Sequence, residues 1–198
     1  METQFDIGRL GQEKLFLVLS SAERLRQNNI RVIKTLIGRG YRVVVITTNQ
    51  PSAILKKHYA AEGIGMGKVT FIDAITKYAI GRIPEGENDT KFVNSPSNLT
   101  DLGIAITEVL NPASGEKTCL LFDSISTMLI YLPSIHISKF IHFVTSKLRL
   151  LDVPGIFLAV EKGIDPLLLT QLTTYVDDVI DMDKPPGLLG PDGKSPGT

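Results

Sequence analysis

The run RVVVITT (42–48) is β-branched and apolar on both faces. A strand with water on one side alternates apolar and polar residues. One that does not alternate is covered on both sides, as in a parallel sheet sandwiched between helices. The rest of the chain fits that constraint. LFLVLS (15–20), KVTFIDA (68–74), KTCLLFDS (117–124), GIFLAVE (155–161) and VDDVIDM (176–182) are runs of strand length. Helical patterns separate them. Ile30, Ile33, Leu36 and Ile37 share one helical face, with Gly38 or Gly40 as the stop. Pro51 opens a helix to about Glu62, since proline suits a first helical turn. Leu99, Leu102, Ile106 and Leu110 keep helical spacing, and further helices cover 134–151 and about 165–174. Strands alternating with helices predict an α/β domain with a mainly parallel sheet, right-handed crossovers and helices on both faces.

Two stretches depart from this rhythm. IGRIPEGENDTKFVNSPSN (80–98) is polar and rich in Gly, Pro and Asn, and predicts a long surface loop without structure of its own. KPPGLLGPDGKSPGT (184–198) is too rich in proline and glycine to build a core and predicts disorder. The organisation is therefore one domain over 1–183 and a tail over 184–198, with no internal repeat.

Composition excludes several functions. Twenty-one Lys plus Arg balance 21 Asp plus Glu, which argues against a dedicated nucleic-acid binder. Cys119 is the only cysteine, so neither an intramolecular disulfide nor a cysteine metal cluster can form. METQFDIGRL lacks the layout of a signal peptide, and no apolar run approaches the roughly 20 residues of a membrane span. The expected setting is cytoplasmic, away from membranes.

In parallel α/β sheets, ligands bind beyond the carboxyl ends of the strands. Ser20–Leu25, Thr47–Pro51, Asp73, Asp123–Ser126 and Glu161–Gly163 stand there. Asp123 ends an apolar strand, where an aspartate either organises magnesium in a phosphate-loop enzyme or caps the next turn. Asp73, Glu161 and Asp165 are read as caps or solvated loop residues. His58, His136 and His142 are not spaced i, i+3 or i+4 from one another, so the sequence offers no metal site. GIGMGK (63–68) precedes a strand instead of following one, and so reads as a helix end and turn, not a dinucleotide loop.

Five segments in order carry a family resemblance: ITTNQPSAIL (46–55), GKVTFIDA (67–74), LLFDSISTML (120–129), LRLLDVPGIFLAVE and YVDDVIDMD. Together, over residues 13–183, they resemble a single RecA-type ATPase domain of the KaiC-like branch. The resemblance implies a RecA-like fold of the P-loop NTPase type, with LLFDSISTML as the Walker B strand and its turn. It places the phosphate loop on LSSAERLR (19–26), and there this chain departs from the pattern. Where the family has Thr-Gly-Lys-Thr or similar, this chain has Glu23, Arg24, Leu25 and Arg26. No Gly or Lys occurs between Lys14 and Lys34, so neither a glycine nest nor the phosphate lysine is available. Each lost charge-assisted bond is worth about 1.5–3 kcal/mol, so several move a micromolar site beyond millimolar. The family's glutamate pair falls on Asn49 and Gln50, whose amides cannot accept a proton near neutral pH.

Of the nucleotide-site positions Ser20, Ser21, Glu23, Arg24, Leu25, Arg26, Asn49, Gln50, Asp123 and Ser124, only Asp123 keeps its chemistry. These residues predict no ATP or magnesium cofactor and no hydrolysis, and instead a regulatory or scaffolding domain that meets a protein partner or its own copies. The alternative is a binder of nucleotides or other anions that uses Arg24 and Arg26 in place of the lysine. In the first turn, Ser20-x-x-Glu23 has the pattern of a capping box, which predicts a helix start that satisfies its own amides.

Overall fold

The computed structural model describes residues 14–110 and 115–183. Seven strands, β1 (Leu15–Ser20), β2 (Arg42–Thr47), β3 (Val69–Asp73), β4 (Thr90–Phe92), β5 (Thr118–Asp123), β6 (Gly155–Val160) and β7 (Asp178–Asp181), form one sheet. Their order is β4-β3-β2-β5-β6-β1-β7, and every pairing is parallel. Seven helices connect them: α1 (Leu25–Gly38), α2 (Ser52–Ala61), α3 (Thr76–Ile80), α4 (Leu99–Val109), α5 (Ile125–Met128), α6 (Ser134–Leu151) and α7 (Pro166–Tyr175).

The apolar strands are buried on both faces, as their lack of alternation requires. Leu15, Leu17 and Leu19 point to a core shared with α4, α6 and α7, through Leu102, Ile106, Ile137, Ile141 and Leu168. Phe16 and Val18 point the other way, to Val32, Ile33 and Leu36 of α1 and Leu55 and Tyr59 of α2. Gly155 lets α6 press close to β6: a Cβ there would lie 2.5 Å from Leu148 Cδ1.

Segment 80–98 corrects the expectation of a loop without structure. It contributes β4, an edge strand parallel to β3. Lys56 of α2 pairs with both Glu87 and Asp89, which ties the approach to β4 onto the domain. Three residues between turns are too few to show a strand period. The predicted tail, 184–198, lies outside the described residues.

Carboxylates organise the strand ends. Buried Asp73 accepts from the Ser52 amide (2.7 Å), the Ile75 and Thr76 amides (both 2.8 Å) and the Thr76 hydroxyl (2.6 Å), joining the starts of α2 and α3. Asp165 caps α7 by accepting from the Leu167 amide at 2.9 Å. At the opposite end of the sheet, Asp177 accepts from the amides of Lys14 and Leu15 (3.0 and 2.9 Å) and from Arg149 (2.8 Å). GIGMGK is a helix end and turn, with Gly63 at φ +72° after α2 and a single 3₁₀ turn (Met66–Lys68) before β3.

Candidate functional site

The strand order reverses between β2 and β5, and their carboxyl ends stand side by side, with Thr47 in register with Asp123. Such a switch point opens a crevice in a parallel sheet. Leu25, Arg26, Asn29 and Ile30 of α1 line a cleft there, with Leu55, His58 and Tyr59 of α2 on the other side. Asn49, Gln50 and Asp123 complete it. The cleft offers about 20 Å³, room for one water.

Asp123 is 3 % exposed. Burial pushes its carboxyl up to about 7. The Asn29 amide stands beside it and favours the charged form, although no hydrogen bond of good geometry joins the two. Tyr59 donates to Asn29 Oδ1 at 2.7 Å and fixes that amide. Burial, then the charge of Asp123, raises the Tyr59 hydroxyl well above its usual range, so it serves as a donor. Four buried atoms of this cleft's residues have no hydrogen-bond partner: Asn29 Nδ2, Gln50 Oε1, His58 Nδ1 and Asp123 Oδ1.

The turn after β1 is built differently from the capping box expected of Ser20 and Glu23. Helix α1 begins only at Leu25, and no side chain caps it. Glu23 is exposed. The buried Ser20 hydroxyl donates to Ser21 O (3.0 Å) and accepts from Asn28 Nδ2 (2.8 Å). The carboxylate at this turn comes from the far end of the chain. Asp183 accepts from the Ser21 amide, stands 3.5 Å from Asn28 Nδ2 and pairs with Arg24 at 3.8 Å. Burial alone would raise its carboxyl, but the Ser21 and Asn28 hydrogen bonds and the Arg24 charge hold it below the usual range. Asp183→Ala would strand the Ser21 amide and is expected to cost about 1–2 kcal/mol, read as a lower urea midpoint; an unchanged midpoint would show the contact to be idle.

The structure thus divides the expected site. Leu25, Arg26, Asn49, Gln50 and Asp123 meet in the cleft, whereas Ser20, Ser21 and Arg24 belong to the turn with Asp183. Ser124 is buried, and its carbonyl accepts from Thr48 Oγ1 at 3.0 Å. Sequence reasoning missed Asn28, Asn29, His58, Tyr59 and Asp183. Two adjacent asparagines inside an apolar helix were a usable signal, since asparagine disfavours helix interiors and needs partners when buried.

Residues 16–182 match the model of a family of unknown function (DUF7504). The chain belongs to that family. No curated protein matches this DUF7504 sequence. Among solved structures it resembles an uncharacterised Pyrococcus horikoshii protein, PH0321, determined in complex with an unknown peptide. The TM-score is 0.64 at 13 % identity, over 89 % of this chain and 82 % of that one. It also resembles the KaiC-like protein PH0186 of Pyrococcus horikoshii OT3, with a TM-score of 0.61 at 16 % identity over 85 % and 72 % of the two chains. This DUF7504 domain therefore has the RecA/KaiC-like fold. Among its described residues no helix is long and apolar enough to cross a membrane.

Proposed function

We propose that this chain is a non-catalytic KaiC-like domain that regulates or scaffolds through protein contacts. The observation that carries the reading is the Asp183 carboxylate on the Ser21 amide, where the resemblance assigns the phosphate loop. An amide already holding a carboxylate is not free to hold a phosphate. Leu25, at the position of the family's lysine, is buried and lines a cleft with room for one water. Asn49 and Gln50 supply no base for an attacking water. Ile104 and Phe143 stand 52 % and 46 % exposed beside an open groove between α4 and α6, the kind of apolar surface that protein contacts use. A peptide held by PH0321, a protein of this fold, is in keeping with that reading.

Calorimetric titration of the full chain with ATP and magnesium is expected to show no binding at about 1 mM, and no turnover should be detectable. Magnesium-dependent turnover that Asp123→Asn abolishes would overturn the proposal. The alternative, an anion binder, is weakened because Arg24 already faces Asp183. It retains Arg26 at the rim of the cleft, and a thermal shift with ADP or polyphosphate lost in Arg26→Ala would favour it.

A further inference from the structure

No Asp or Glu occurs between Asp123 and Asp152, so α6 has no acidic residue at all. In a chain whose charges balance, this is a local excess of positive charge. Lys139 and Lys147 contribute to it, and among the described residues neither has a carboxylate partner. Apolar side chains run beside them. Ile135, Phe143 and Leu150 are 52 %, 46 % and 88 % exposed. They recur about every two turns, which sets them in one stripe along the outer face of α6. Single exposed apolar residues are ordinary, whereas a stripe of them marks a contact surface. The groove between α4 and α6, about 390 Å³, opens beside this stripe, with Ile104 and Phe143 lining it from either helix. A Cβ at Gly103 would lie 3.3 Å from Phe143 Cε1, so glycine, a poor residue inside a helix, lets that ring settle onto α4. Lys147 Nζ stands 6.0 Å from the centroid of the same ring, which brings its charge to the groove. The acids of α4 are engaged elsewhere: Glu108 pairs with Lys91 at 2.6 Å, and Asp101 accepts from Asn94.

We propose that the α4–α6 face docks an acidic amphipathic helix of a partner protein. Its apolar side chains enter the groove and cover Phe143 and Leu150, and its Asp or Glu residues meet Lys139 and Lys147. The stripe from Ile135 to Leu150 runs roughly 22 Å, so the partner helix is about four turns long. An apolar stripe of helical period beside a groove is what a second helix fits. Charge decides which helix, since the free cations here need anions opposite them. A second copy of this chain, paired about a two-fold axis, would bring an equally basic α6 face against this one. An anionic bilayer is flat, and would meet the stripe without filling a groove between two helices. The inference deepens the protein-contact reading above and rests on it.

The test is fluorescence anisotropy of the full chain with a labelled synthetic helical peptide of about four to five turns. The peptide has leucines at alternating three- and four-residue spacing and glutamates flanking them. Saturable binding is expected, with a dissociation constant of about 10–100 µM at low salt, weakening as salt screens the charges. The same composition scrambled, and a version with lysine in place of glutamate, should each bind at least about tenfold more weakly. Leu150→Ala removes an almost fully exposed side chain and Phe143→Ala a half-exposed one, and each should weaken binding at least about fivefold. Lys139→Glu with Lys147→Glu should reverse the preference, so that the lysine peptide binds and the glutamate peptide does not. Equal binding of the scrambled peptide would overturn the proposal, as would an unchanged preference in the charge-reversed variant or no saturation by about 1 mM. A dimer in sedimentation velocity that Phe143→Ala dissolves would overturn it in favour of a second copy. Flotation with phosphatidylglycerol vesicles, without peptide binding, would overturn it in favour of a bilayer. ATP turnover in a chain that still binds the glutamate peptide would sink the non-catalytic reading and leave this face standing. Failure of the peptide in a chain without turnover would reject the face alone.

Discussion

Replacing Asp73 by alanine is expected to remove about 3–5 kcal/mol of folding stability, a large share of what a domain this size has. The carboxylate is fully buried and receives three backbone amides and one hydroxyl. Alanine would leave the amides of Ser52, Ile75 and Thr76 without acceptors in a space water does not reach. Each orphaned donor costs about 1–3 kcal/mol. The favourable placement of negative charge at the start of α2 would be lost as well. Asp73→Asn keeps the shape but swaps one acceptor oxygen for a donor, so it should lose roughly half as much. Urea unfolding of the three proteins with a common slope measures this directly. A midpoint shift worth less than about 1 kcal/mol in the alanine variant would mean that the neighbouring turns relax and re-satisfy their own amides.

The second large effect concerns pH. The Asp123 carboxyl titrates near 7 in the folded protein and near 3.8 when free of it. Between those values the folded state holds a proton that the unfolded state has released. Stability therefore falls as pH rises through that window, by about 1.4 kcal/mol per unit, and levels off above the folded value. The whole span amounts to about 4 kcal/mol as an upper bound. Asp123→Asn mimics the protonated carboxyl and should lack the slope. Wild type and variant are expected to be similarly stable at about pH 4 and to diverge towards pH 8, with wild type the weaker. Comparing the pair cancels the opposite contribution of Asp177 and Asp183. Their carboxyls are depressed, so that contribution is present above the unfolded value and fades in acid. Parallel stability curves from pH 4 to 8 would show that water or a neighbour screens Asp123.

Legibility in the sequence followed the range of the interactions. β1, β2, β5 and β6 could be read because a strand buried on both faces announces itself in its own few residues. Asp73 and Asp165 could be read as caps because the amides of Ile75, Thr76 and Leu167 lie two or three residues away. The Ser20–Glu23 spacing misled for the complementary reason. A local pattern was available, but the acceptor that satisfies the turn is Asp183, 162 residues beyond Ser21. The cleft was half legible. Asp123, Asn49 and Gln50 were reached through strand ends, whereas Asn29, His58 and Tyr59 arrive from helices whose pairing no one-dimensional spacing encodes. β4 escaped because three residues are too few to show a period.

The two carboxylates that bracket β7 have a further consequence. Asp177 grips the amides that begin β1, and Asp183 grips the amide just past its end. An edge strand of four residues has few ladder bonds of its own to fix its alignment. Here a shift of one residue would pull both carboxylates off their amides together, so β7 is pinned like a bar bolted at each end. Two strands more than 150 residues apart in the chain thereby hold each other in register. Protonating both bolts in acid would free that edge as one unit while the central strands remain paired.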